Sequence, residues 1–198
     1  MKKALSLILA LVLSLSLCAC GGGDNTEISP IVGTWNGYTS GTVWTYVFYP
    51  DGTYTFSTEG ALEMGVKAKY TFDEETSVLT FTEQDGDTFS RTIELNECYM
   101  VLNNTKYGRA YSSKEECDVL NELLGKWKHT YLSGCVLEFS KDGTYNLTTT
   151  DGSTTGIYIY NPATKVIELP RAGITLKFDE KADKPQIYSS DLSLIFQK

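Results

Sequence analysis

Phe48-Tyr49-Pro50-Asp51-Gly52-Thr53-Tyr54 recurs as Phe139-Ser140-Lys141-Asp142-Gly143-Thr144-Tyr145, 91 residues further along the chain. In each copy an Asp-Gly pair stands between runs of β-branched and aromatic residues, where glycine supplies the positive φ that a tight hairpin or its bulge requires. Pro50 suits the preceding turn position because its φ is already set. Upstream, Val43 to Phe48 alternates, with Trp44, Tyr46 and Phe48 on one face and Val43, Thr45 and Val47 on the other. That is the period of a strand and not of a helix. No calcium-loop spacing surrounds Asp51 or Asp142, so both read as turn residues rather than cation ligands.

The repetition extends in both directions. Gly33-Thr34-Trp35 returns as Gly125-Lys126-Trp127 at an offset of 92 residues, and Tyr70-Thr71-Phe72 with Thr76, Val78, Leu79 and Phe81 returns as Tyr158-Ile159-Tyr160 with Thr164, Val166, Ile167 and Leu169 at an offset of 88. Ile93 and Leu95 then match Ile174 and Leu176. A drifting offset with preserved order is what loop-length change leaves between two copies of one unit. Runs bounded by turn residues give about eight short strands per unit, of ordinary strand length. Either each unit closes on itself as a small barrel or flattened sandwich, or the two merge into one larger barrel; a full strand set in each repeat favours the first. The expected fold is therefore all-β, with two tandem small antiparallel β-barrels over residues 31–111 and 125–198. Residues 112–124 read as a short connecting α-helix. Ser113 and Glu116 form a capping-box pattern, Cys117, Leu120 and Leu124 share a face, and Gly125 is placed to end it.

At the amino end, Lys2 and Lys3 precede an apolar run from Ala4 to Leu17, closed by Leu17-Cys18-Ala19-Cys20. The run falls short of the roughly 20 apolar residues of a membrane span and is interrupted by Ser6, Ser14 and Ser16, so residues 1–19 read as a signal peptide. Leu17, Ala19 and Cys20 resemble the lipobox of bacterial lipoproteins. The resemblance implies a diacylglyceryl group on the Cys20 thiol, cleavage before that residue, and acylation of the new amino terminus by a fatty acid such as palmitate. Each buried methylene contributes about 0.8 kcal/mol, so two or three acyl chains hold stably where one binds marginally. A cut that leaves an unmodified secreted protein is the alternative. Residues 20–30 then comprise the lipidated cysteine and a flexible tether, from Gly21 to Pro30, that keeps the folded part near the membrane surface. The expected location is the cell membrane, lipid-anchored on its extracytoplasmic face. The full chain carries a net charge of −8, which becomes −10 once Lys2 and Lys3 leave with the signal. So acidic a surface is repelled by phosphate backbones, which argues against nucleic acid as a partner.

The paired Gly-x-Trp starts at Gly33/Trp35 and Gly125/Trp127, with the Asp-Gly-Thr-Tyr hairpins, resemble lipocalin-like domains of bacterial surface proteins. The resemblance covers about Ile31 to Lys198. It implies that Trp35 and Trp127 each close one end of a barrel, often under a basic residue from the last strand. Arg109 suits that part in the first unit, whereas the second ends at Phe196-Gln197-Lys198 without an arginine. The resemblance further implies a binding function, for a small apolar or sugar-like ligand or for an envelope protein. An eight-stranded barrel is just wide enough for side chains to fill or for one small ligand, and the bulky inward positions, among them Trp35, Phe48, Phe81, Trp127 and Phe139, point to filled interiors. Candidate contact residues are then Trp44 and Tyr46, read as exposed aromatics, with the open barrel ends and the groove between the units near the connecting helix as further places. A scaffold whose outer faces meet a protein partner is the alternative.

Chemistry for catalysis is sparse. His129 is the single histidine, so neither a zinc site of common composition nor a pair of imidazoles can be assembled from one chain. No nucleophile elbow, phosphate loop or dinucleotide fingerprint is present. Asp73-Glu74-Glu75, Asp85-Gly86-Asp87 and Asp179-Glu180 occupy expected turns, and a carboxylate-based hydrolase using two of them is the least favoured reading. No catalytic residue, metal or cofactor is assigned. Beyond the signal and anchor remain Cys98, Cys117 and Cys135, an odd count that makes no complete disulfide framework; buried free thiols are expected.

Overall fold

A computed structural model of the chain describes residues 28–59, 67–111, 120–191 and 193–198. The signal peptide, Cys20 and the tether up to residue 27 lie outside the described residues, as do Cys117 and residues 112–119 of the expected helix. The end of that segment forms a turn in which the Leu123 and Leu124 amides both donate to the Leu120 carbonyl, at 2.8 and 2.9 Å. Leu120 and Leu123 bury their side chains in the second unit's core.

Two separate antiparallel sheets form, not one merged barrel. The first contains β1 (Gly33–Thr39), β2 (Thr42–Phe48), β3 (Thr53–Thr58), β4 (Ala68–Asp73), β5 (Val78–Thr82), β6 (Thr88–Thr92), β7 (Glu94–Leu95), β8 (Tyr99–Leu102) and β9 (Thr105–Ala110). The second contains β10 (Gly125–His129), β11 (Val136–Phe139), β12 (Thr144–Thr149), β13 (Gly152–Ile157), β14 (Ile159–Asn161), β15 (Val166–Leu169), β16 (Ile174–Asp179), β17 (Gln186–Ser189) and β18 (Ile195–Gln197). Within each unit neighbours in sequence pair, except β6 with β7 and β13 with β14, and the first strand of each unit also pairs with the last, β1 with β9 and β10 with β18. Each sheet therefore curls into a nearly closed up-and-down barrel. Its two free edges, β6 and β7 in the first and β13 and β14 in the second, are halves of one strand bent at a single residue, Ile93 or Tyr158. Counted as continuous strands, each unit has the eight staves that its turn spacing predicts.

The bends fall on different staves, yet the register shows the copies to be equivalent. The Tyr70 and Tyr158 amides donate to the carbonyls of the hairpin glycines Gly52 and Gly143, at 2.8 and 2.9 Å. Their hydroxyls donate to the Tyr49 and Ser140 carbonyls at 2.9 and 3.0 Å. Asp51 and Asp142 each accept from the amide of the threonine two residues on, at 3.0 and 3.1 Å, and also from its hydroxyl. One correction to the repeat alignment follows from strand pairing. Phe81 faces Phe89, whereas its equivalent Leu169 faces Ile174, so the second hairpin is three residues shorter. Ile93 is thus equivalent to Phe178 and not to Ile174. A shift by an even number of residues keeps every side chain on the same face, which is why the sequence pattern does not expose it.

Inward positions fill both barrels. Trp35, Leu79, Met100, Trp127, Leu137, Ile167 and Ile187 are wholly buried. The first interior is largely aromatic: Tyr46 stacks on Phe48 with centroids 5.8 Å apart, Phe48 meets Tyr70 edge-on at 4.9 Å, and Phe81 stacks on Phe89 at 4.9 Å. The second is more aliphatic, with Leu137, Leu147, Ile167, Leu176 and Ile187 around Trp127 and Phe178. Between the barrels, Tyr99, Ile157 and Ile159 form a third buried cluster. Gly108 of β9 sits there against the bend at Tyr158. A Cβ at Gly108 would lie 2.5 Å from the Tyr158 carbonyl oxygen, so only glycine allows this backbone approach.

Candidate functional site

At one end of each barrel a tryptophan is locked by its own indole. Trp35 Nε1 donates to the Ile31 carbonyl at 2.8 Å, and Trp127 Nε1 donates to the Leu123 carbonyl at 2.7 Å. Arg109 lies over Trp35 with its guanidinium carbon 5.0 Å from the ring centroid. It also donates to the Val32 carbonyl at 2.7 Å and the Pro30 carbonyl at 3.2 Å, fixing the chain where it enters the barrel. In the second barrel Lys198 takes the corresponding place, its ammonium 4.8 Å from the Trp127 centroid and bonded to the Glu122 carbonyl. Partial burial pulls the Lys198 pKa down. A hollow of about 830 Å³ lies beside Arg109, bounded by Ile28 to Pro30, Tyr111 and Asp142. Its guanidinium is already committed to backbone carbonyls there.

Trp44 and Tyr46 are not surface aromatics. They share the inner face of β2 with Phe48, as the alternation requires, and pack half-buried on the first barrel's core. Tyr46 meets Phe56 at 4.6 Å and Tyr107 edge-on at 5.5 Å. Burial pushes its phenol pKa well up. Gly37 makes room for the Tyr107 ring, which would come within 2.6 Å of a Cβ there. The Trp44 indole nitrogen is buried with no hydrogen-bond partner among the described residues.

A second hollow, of about 490 Å³, is a cleft between the outer faces of the two barrels. Strand register builds its walls. On the first barrel, Asn36, Thr45 and Ser57 stand in one cross-strand row over β1, β2 and β3. On the second, Glu138, Asn146 and Thr155 stand in a like row over β11, β12 and β13. Thr45 donates its hydroxyl to Asn36 Oδ1 at 2.8 Å. The Asn146 Oδ1 is buried and unpartnered. Tyr145 lies inside the second barrel over Gly156, where a Cβ would approach its ring to 2.9 Å. Its hydroxyl is buried. Burial raises the Tyr145 pKa, while Arg171 and the Ala172 amide act in the opposite direction. Arg171 reaches Glu59 across the cleft at 3.4 Å, and Lys126 reaches Glu138 at 3.8 Å.

The acidic turns are engaged locally. Asp73 accepts the Glu75 and Thr76 amides at 3.0 and 3.1 Å, Asp85 accepts the Asp87 amide at 3.1 Å, and Asp179 accepts the Lys181 amide at 2.9 Å. Cys98 and Cys135 are buried free thiols, and burial raises the pKa of each. His129 ends β10 and is buried; its Nδ1 accepts the Tyr131 and Leu132 amides, both at 3.1 Å. Among the described residues, no group of three or more His, Cys, Asp or Glu side chains is placed to hold a metal ion, and no helix is long and apolar enough to cross a membrane.

The cleft residues carry no sequence signal of their own, because polar side chains on the outward face of a strand are the ordinary case. Only Gly108 and Gly156, glycines inside strand runs, hint at close approach. Comparison with known proteins finds no family model, no curated protein and no solved structure that matches this chain.

Proposed function

We propose that the chain is a lipid-anchored extracytoplasmic binding protein built of two lipocalin-like barrels, which holds a small ligand between the barrels rather than inside them. The observation that carries this reading is that both interiors are filled by side chains while a hollow of about 490 Å³ stands between the barrels, lined by Asn146 with its Oδ1 buried and unpartnered. A buried acceptor left unpaired costs about 1–3 kcal/mol, and binding a ligand that pairs it recovers that cost. Lipid attachment at Cys20 rests on Leu17, Ala19 and Cys20 and agrees with the fold beginning at Ile31, beyond a short tether.

Mass spectrometry of the intact protein purified from its own membranes tests both parts. The expected mass includes a diacylglyceryl group and acyl chain at Cys20, absent from a Cys20→Ala variant, together with a retained small molecule. Replacing Asn146 by Trp fills the cleft and is expected to remove that molecule. A mature chain without lipid, or a molecule that Asn146→Trp does not displace, overturns the corresponding part. The scaffold reading has its own observation in Tyr131 and Leu132, which are 78% and 56% exposed at the hairpin tip after β10. Their replacement by serine separates the two readings, since it leaves the cleft unchanged.

A further inference from the structure

The row of Glu138, Asn146 and Thr155 faces that of Asn36, Thr45 and Ser57, and we propose that the cleft between them takes an uncharged, hydroxyl-rich ligand, a short neutral oligosaccharide. This rests on the reading of the cleft as the binding site and names the chemistry that it selects.

Charge is the first argument. The ionic groups at the cleft already meet counterparts, Arg171 with Glu59 at 3.4 Å and Glu138 with Lys126 at 3.8 Å. A charged ligand would have to break one of these pairs, and an anion would also approach a chain of net charge −8. The inventory of polar groups is the second. The Ser57 and Thr155 hydroxyls each donate and accept, the Thr45 hydroxyl, its proton given to Asn36, accepts, the Asn146 amide does both, and carboxylates accept. Sugar hydroxyls are likewise donors and acceptors at once, so they match a mixed row better than a ligand with only one kind of group. The unpartnered Asn146 Oδ1 supplies the third argument, a desolvated acceptor on a residue that lines the hollow. Val43 and Ile157 add apolar wall against which the C–H face of a sugar ring can lie. The volume, about 490 Å³, falls within the roughly 300–1,000 Å³ of small-molecule sites.

Isothermal titration calorimetry of the full chain in detergent tests this with three probes: N,N′-diacetylchitobiose, maltotriose and glucose 6-phosphate. At least one neutral sugar is expected to bind. Asn146→Ala should weaken it about tenfold, the loss of one hydrogen bond of about 1.4 kcal/mol, and Asn146→Trp should abolish it while the thermal transition of the variant stays close to wild type. Tighter binding of the sugar phosphate, or no binding of either neutral sugar at millimolar concentration, overturns the ligand class. A molecule of other chemistry that is retained by the wild type and displaced by Asn146→Trp overturns the class but leaves the site standing. A neutral sugar that binds wild type and Asn146→Trp equally overturns both.

Discussion

His129 shows how a single side chain can serve as a turn component. Its Nδ1 accepts two backbone amides, which places the ring proton on Nε2, and the ring meets Phe196 edge-on at 5.2 Å. The geometry resembles that of an asparagine closing a turn on its own backbone. His129→Ala is expected to lower unfolding free energy by about 1–3 kcal/mol, since two amides lose their acceptor; His129→Asn should recover part of it. Urea denaturation of the three proteins reads the order directly. Asp191 acts similarly at the last hairpin, accepting from the Ser189 hydroxyl at 2.6 Å, the Ser193 amide at 3.0 Å and the Ser193 hydroxyl at 2.8 Å. These bonds favour the carboxylate and pull its pKa from 3.8 to about 2. Because the folded value lies below the unfolded one, the contribution is full above the unfolded pKa and is lost as pH falls from about 3.8 toward 2. The stability gap between wild type and Asp191→Asn, followed by denaturant midpoint, should therefore close across that acid window.

Among the elements, the two Asp-Gly hairpins do the same work in each copy. Gly52 and Gly143 have φ of +77° and +80°, and each carbonyl receives the amide of a tyrosine on the strand that follows the next hairpin. The aspartate, glycine, threonine and later tyrosine are thus one hydrogen-bonded assembly, and its recurrence accounts for the recurrence of the motif. Gly143→Ala and Gly52→Ala each force an L side chain into the left-handed region, at about 1–2 kcal/mol apiece. The effects should add in the double variant, because the turns belong to different barrels and share no partner. Thermal unfolding of the two single variants and the double variant measures this.

For the whole molecule, the question is what holds the barrels together. Lys106 with Glu168 and Arg171 with Glu59 bridge them, but exposed pairs of this kind contribute roughly 0–1 kcal/mol and are screened by salt. The buried seam is the larger effect. Ile157 and Ile159 are 3% and 4% exposed, and complete burial of such side chains contributes about 1.5–3 kcal/mol each. Backbone contact at Gly108 fixes their alignment. Salt at about 1 M, where the screening length is about 3 Å, should therefore leave the barrels docked. Ile159→Asp should part them, with a larger radius of gyration in small-angle scattering; an unchanged radius would show that the seam does not carry the association.

The all-β fold, its two copies and their hairpins were legible in the sequence because they rest on local physics: alternation at period two, and glycine where φ is positive. Trp35 and Trp127 were legible as a pair for the same reason, being fixed to the start of each unit. Lys198 was not assigned as the partner of Trp127, because the second unit lacks an arginine at its end and only proximity shows that a lysine fills the place of the basic residue. Nor were the residues of the cleft legible, although a groove between the units was expected. Asn146 and Thr45 lie about a hundred residues apart in strands whose outward polar faces look alike, and they line one hollow because one barrel seats against the other, at Gly108 and at the turn that carries Lys141 and Asp142. Alternation decided which residues face inward; docking of two finished barrels decided which outward residues face each other, and no periodicity within either copy encodes that.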